Sequence, residues 1–141
     1  MAITQLSVFL MNKPGQLVEA VGKISATGAN LRAMSIAEAN DFGILRLISS
    51  DEEAVRSALS DGYLVSKTQV VAAKMDDRSG ALYPILEALS EAKINIEYMY
   101  AFTGSVANQA YVVLRVDDVH SAEKALNAAG IDTLTDESLK L

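Results

Sequence analysis

An α+β fold laid down twice in tandem, each copy running β-α-β-β-α-β, is predicted by three observations. The loop Asn12-Lys13-Pro14-Gly15-Gln16-Leu17 follows an apolar strand and opens a helix, and Asp77-Arg78-Ser79-Gly80-Ala81-Leu82 does the same 65 residues later. Strand alternation and helical spacing recur at that offset. Beyond the second strands the match resumes at an offset of 67, so the second copy carries the longer hairpin loop.

The elements follow in order. Leu6, Val8 and Leu10 alternate along a first strand, matched by Val71, Ala73 and Met75. Leu17, Val18, Val21 and Ile24 mark one helix face, matched by Leu82, Tyr83, Leu86 and Leu89. Gly28 is a helix stop, and its counterpart Lys93 is expected to favour the helix end through its charge. Second strands run from Leu31 to about Ala39 and from Ile96 to about Thr103. The turns that follow are Asn40-Asp41-Phe42-Gly43 and Gly104-Ser105-Val106-Ala107-Asn108. Leu45 and Leu47 then match Val112 and Leu114 in third strands.

Ala54, Val55, Ala58 and Leu59 match Ser121, Ala122, Ala125 and Leu126 in second helices, closed by Gly62 and Gly130 before a last strand. This order is the ferredoxin-like arrangement, two helices over one face of a four-stranded antiparallel sheet. A unit of this size is marginal alone. The stretch from Tyr63 to Met75 holds no glycine or proline, so the copies, residues 1–68 and 69–141, are expected to form a rigid pseudo-two-fold pair without a flexible linker.

Composition narrows the function. The 141 residues carry a net charge of −6, and clustered Lys and Arg are lacking, which argues against nucleic acid or an anionic membrane surface as partner. Without cysteine there is no disulfide, thiolate metal site or cysteine nucleophile. The start Met1-Ala2-Ile3-Thr4-Gln5 has no basic region before an apolar core, and no apolar stretch approaches a membrane span, so cytoplasmic residence is expected. His120, the lone histidine, has no partner for metal binding or acid–base work and reads as a surface residue. Asp51-Glu52-Glu53 and Asp136-Glu137 read as helix-start or solvated acids. Asp41-Phe42-Gly43 shares its letters with a kinase metal motif, but no kinase lysine strand or catalytic loop accompanies it, so it reads as a hairpin turn.

What the turns offer is main chain. Each presents N–H groups at a helix start, where the helix dipole favours an anion. Glycine lets a ligand approach the backbone closely, and Pro14 gives up no useful N–H. Asn12 and Asp77 are equally suited to plain turn or capping positions.

Taken together, the Lys-Pro-Gly-x-Leu turn at 13 to 17, the Asp-Arg-x-Gly-x-Leu turn at 77 to 82, and the strand entries Gly-x-Asn-Leu and Lys-Ile-Asn-Ile make the chain resemble a tandem ACT-domain protein over essentially its full length. ACT domains are small regulatory modules that bind amino acids between paired domains. The resemblance implies a ligand carboxylate on the N–H groups around Gly15, Gln16 and Leu17, or Gly80, Ala81 and Leu82, with the ammonium on Asn12 or Asp77. It also brings in Lys13, Pro14, Arg78 and Ser79, and a facing wall of Met34, Ser35, Ile36 and Ala37 or Met99, Tyr100, Ala101 and Phe102. Ser79 replaces the usual proline, and Asp77 stands where the first copy has Asn12, which sets the second site apart.

Tyr98, Tyr100 and Phe102 share one strand face, suited to stacking on a ligand or to an interface between protomers. The expected function is a non-catalytic amino-acid sensor, a homodimer with no cofactor or metal, acting on a partner that the residues do not name. The apolar and aromatic neighbours point to a large ligand side chain such as Phe, Tyr, His or Leu. The alternative is an interaction adaptor built on the same folds that has lost its ligand.

Overall fold

A computed structural model describes residues 2–39, 41–103 and 108–136. Asn40, the turn residues 104–107 and Glu137 therefore lie outside the described residues. The chain divides into two compact units, one on Thr4–Thr68 and the other on the chain from Gln69.

In the first unit, β1 (Ile3–Met11), α1 (Gln16–Ser25), β2 (Leu31–Ala39), β3 (Phe42–Ser49) and α2 (Glu52–Leu59) lead into β4 (Leu64–Asp76). The strand order is β2-β3-β1-β4. In the antiparallel register Leu6 faces Leu47, Val8 faces Leu45 and Leu10 faces Gly43. Because antiparallel partners share a face, Leu6, Val8, Leu10, Leu45 and Leu47 form one apolar surface, and Ala20 and Ile24 of α1 with Val55 and Leu59 of α2 cover it. All nine are buried.

The second unit repeats this with the rest of β4, α3 (Leu82–Glu91), β5 (Ile96–Thr103), β6 (Gln109–Val116) and α4 (Val119–Ala128), in the strand order β4-β6-β5. Val71 faces Leu114 and Ala73 faces Val112. Ile85 and Leu89 of α3 with Ala122 and Leu126 of α4 close this core. Asp51 and Asp118, 67 residues apart, cap α2 and α4 by accepting from the N–H groups of Ala54 and Ser121. Ser121 also donates its hydroxyl to Asp118, and these two bonds hold the Asp118 carboxyl below its ordinary range.

Four sequence expectations change. The buried stripe of α1 is Ala20 and Ile24, while Val18 is 73% exposed; in α3 it is Ile85 and Leu89, with Tyr83 at 67%. Those pairs keep the offset of 65, so the duplication predicted the core even where the chosen face was rotated. Lys93, expected to act through its charge, adopts φ 59, the left-handed conformation that Gly28 adopts at φ 80, so the two ends are equivalent in backbone geometry. Phe42 and Gly43 pair with Ala39 and Glu38, so they open β3 and do not belong to the turn. The last strand of the second unit is reduced, among the described residues, to one bridge between Ala73 and Thr133.

Candidate functional site

Both glycine turns are built by the same bonds. In the first, Lys13 N–H donates to Met11 O at 2.9 Å, Asn12 N–H to Asp41 O at 3.0 Å and Gln16 N–H to Lys13 O at 3.4 Å. In the second, Arg78 donates to Asp76 at 2.9 Å, Asp77 to Asn108 at 2.7 Å and Ala81 to Arg78 at 3.3 Å. Gly15 and Gly80 turn the chain at φ 92 and 82, where a Cβ costs strain.

The helix starts are left open. Neither α1 nor α3 has a side-chain cap at its N-terminus, so Asn12 and Asp77 are not capping residues. The N–H groups of Gly15 and Leu17, and of Gly80 and Leu82, carry no hydrogen bond among the described residues. Such orphan donors at a helix start attract negative charge.

The cavities beside the two turns differ. At the first lies a pocket of about 200 Å³ lined by Leu10, Met11, Asn12, Lys13, Gln16, Leu17, Ile36 and Gly43. It joins the turn to β2 and β3, as the sequence led one to expect for Ile36. Met34 lies on the same sheet face, opposite Leu47 and 51% exposed, but outside the pocket. Ser35 and Ala37 pair with Arg46 and Ile44 on the other face. Pro14 and Gly15 shape the turn without lining the pocket. Leu10, Met11 and Gly43 were missed; the signal for Gly43 was a glycine at a strand start, a mark of close approach.

At the second turn, a cavity of about 330 Å³ runs between β4, the start of α3 and residues 130–132. Arg78 and Ala81 line it, with Met75, Ile85 and Asp132 among its other walls. Asp77, Ser79, Gly80 and Leu82 do not line it, nor do Met99, Tyr100 and Ala101 of β5. A bulge between Ile96 and Tyr98 sets the β5 register, so Met99 and Ala101 share the core face with Leu114 and Val112. Tyr98, Tyr100 and Phe102 fall on the opposite face, half-buried, and Phe102 stacks on Tyr111 at 5.2 Å between ring centroids. Arg78 pairs with Asp76 at 3.6 Å in an exposed contact.

Elsewhere the chemistry is sparse. His120 is exposed on α4. Among the described residues no three His, Asp or Glu side chains converge on a metal position, and no helix is long and apolar enough to cross a membrane.

Two β-α-β-β-α units with glycine turns at equivalent places define the class, and the chain belongs to the ACT domain pair family, whose model matches residues 1–141. ACT domains are regulatory modules, and no catalytic domain is evident in this chain. The crystal structure of protein BT0572 from Bacteroides thetaiotaomicron is similar at 38% identity and a TM-score of 0.91, covering 99% of this chain and 96% of that one. The ligand-free regulatory subunit of aspartate kinase from Thermus thermophilus shares the fold at 11% identity and a TM-score of 0.63, covering 89% and 91%. The regulatory subunit of aspartate kinase from Thermus flavus does so at 11% identity and a TM-score of 0.61, covering 90% and 92%. No curated protein matches the chain.

Proposed function

We propose that this chain is a non-catalytic regulatory protein of the cytoplasm that binds a free amino acid at its glycine turns. The observation that carries the reading is the first turn: unoccupied N–H groups at Gly15 and Leu17 stand beside a pocket of about 200 Å³ lined by Asn12, Gln16 and Ile36. The carboxylate takes the N–H groups, the side-chain oxygens of Asn12 and Gln16 take the ammonium, and the ligand side chain rests on the apolar wall. The second turn offers the same donors around Gly80, with Asp77 as the ammonium acceptor.

A homodimer is part of this proposal, with a second copy covering the first-unit pocket. Met34 and Ile36 beside it are 51% and 56% exposed and share one sheet face, apolar surface that a second copy would bury. Ligand held at such a seam stabilises the closed state by mass action and biases whatever partner reads that state. The adaptor reading is favoured by one observation, the second turn, whose cation Arg78 is already paired with Asp76.

Calorimetric titration of the folded chain with the common amino acids tests the reading. Binding to the wild type and its loss in Gly15→Val is the expected result. No heat with any amino acid overturns the sensor and leaves the adaptor. Light scattering at about twice the 15.0 kDa chain mass is expected for the dimer.

A further inference from the structure

Resting on the amino-acid reading above, we infer that the first-unit pocket selects a neutral aliphatic amino acid of the valine, leucine and isoleucine class, with Ile36 and Gly43 setting that choice. The selectivity comes from the wall and not from the turn, since main-chain donors hold every amino acid's carboxylate alike.

Size is the first constraint. A closed apolar cavity of about 150 Å³ holds a benzene ring. The space here, about 200 Å³, is of the same order but open on one side, so it suits a compact side chain laid on its floor while the amino-acid backbone stays at the turn. Charge is the second. Lys13 is the one charged residue of the lining, exposed to solvent, and no carboxylate lines it, so a cationic ligand side chain finds repulsion and no partner, while an anionic one laid on the apolar floor trades full hydration for a single solvated ammonium. The floor is the third. Leu10, Leu17 and Ile36 give apolar surface where the side chain rests, and no polar side chain besides those at the turn reaches it.

Gly43 decides the depth. It lies opposite Leu10 on β1 and Glu38 on β2, and a Cβ built on it would meet Ile36 Cδ1 and Cγ1 at 3.5 Å. That is ordinary contact, so a side chain at 43 is tolerated by the backbone but occupies the floor. At the equivalent places the second unit has Ala101 for Ile36 and Ala110 for Gly43, so this combination belongs to the first unit alone.

Titration of the full-length chain with valine, leucine, isoleucine, phenylalanine, lysine and aspartate tests the inference. The aliphatic ligands are expected to bind about tenfold or more tightly than the other three, the usual worth of a mismatched pocket. Gly43→Val should cost about tenfold for isoleucine with the melting transition retained, and Ile36→Ala should shift preference toward phenylalanine by a similar factor. Phenylalanine, lysine or aspartate binding the wild type as tightly as isoleucine overturns the selectivity while the amino-acid reading stands. Isoleucine affinity unchanged in Gly43→Val overturns the assignment to this pocket. No binding by any amino acid overturns the amino-acid reading itself.

Discussion

The two units share a backbone but not a surface. Their turns are tied by equivalent hydrogen bonds, their second helices are capped by equivalent aspartates and their cores are filled from equivalent positions. Yet the first turn opens toward β2 and β3, while the cavity at the second opens toward residues 130–132. The difference lies in a few side chains: Ile36 against Ala101, Gly43 against Ala110, and Lys13, which has no ion pair among the described residues, against Arg78 bound to Asp76. Duplication preserves what holds the fold and frees what lines a pocket.

If the cores are true equivalents, Ile24→Ala and Leu89→Ala should destabilise their units by a similar ~2–5 kcal/mol, measured by denaturant unfolding. A large disparity breaks the comparison, since both side chains are essentially fully buried at 1% and 0% exposure. The glycine turns separate strain from function. Gly15→Val and Gly80→Val should each cost ~1–2 kcal/mol for a left-handed backbone, but only the change at Gly15 should abolish binding in the aliphatic pocket. Equal loss of binding in both variants would show that the second turn contributes to the same site.

The caps give a smaller effect. Asp51→Ala should cost ~1 kcal/mol by losing the bond from Ala54 N–H, while Asp51→Asn should retain most of it. At Asp118 the folded carboxyl is held below its unfolded value of 3.8 by Ser121. Its contribution is therefore present above the unfolded value and is lost as pH falls through the folded one. Acid titration of unfolding should show that loss disappear in Asp118→Asn. The smallest expected change is at the helix ends, where Lys93→Gly should stabilise by less than ~1 kcal/mol, because relief of left-handed strain is offset by added freedom in the unfolded chain. Gly28→Lys should act in the opposite sense, and agreement between the two sharpens the equivalence.

Much of the fold was legible because period-two and helical spacing repeat at a fixed offset, and errors in one copy can be checked in the other. The strands from Leu31 and Ile96, the unbroken β4 and both turns follow from that repetition. The helix faces were less legible: Val18 and Tyr83 are apolar by type, yet the layer of helices leaves them to solvent, and Ala20 is too small to stand out as core. The left-handed Lys93 carries no composition signal at all. Register was the hardest to read. A bulge at Leu31/Ala33 or Ile96/Tyr98 decides which of two neighbouring strand residues joins the core face, so Ile36 reaches the pocket while Ser35 does not. Pocket walls contributed by β3 depend on that register: a glycine at 43 marks a close approach, but only the pairing with Leu10 and Glu38 says which face it serves.

A pair of equivalent main-chain bonds sets where this molecule can change. Asn12 N–H to Asp41 O and Asp77 N–H to Asn108 O clasp each turn to the foot of the neighbouring hairpin, although the chain between the clasped residues is two residues longer in the second copy. Extra length has thus been absorbed without loosening the clasp. The hairpin is a place where segments can be inserted, by evolution or by an engineer, while the donors a ligand would meet stay in register.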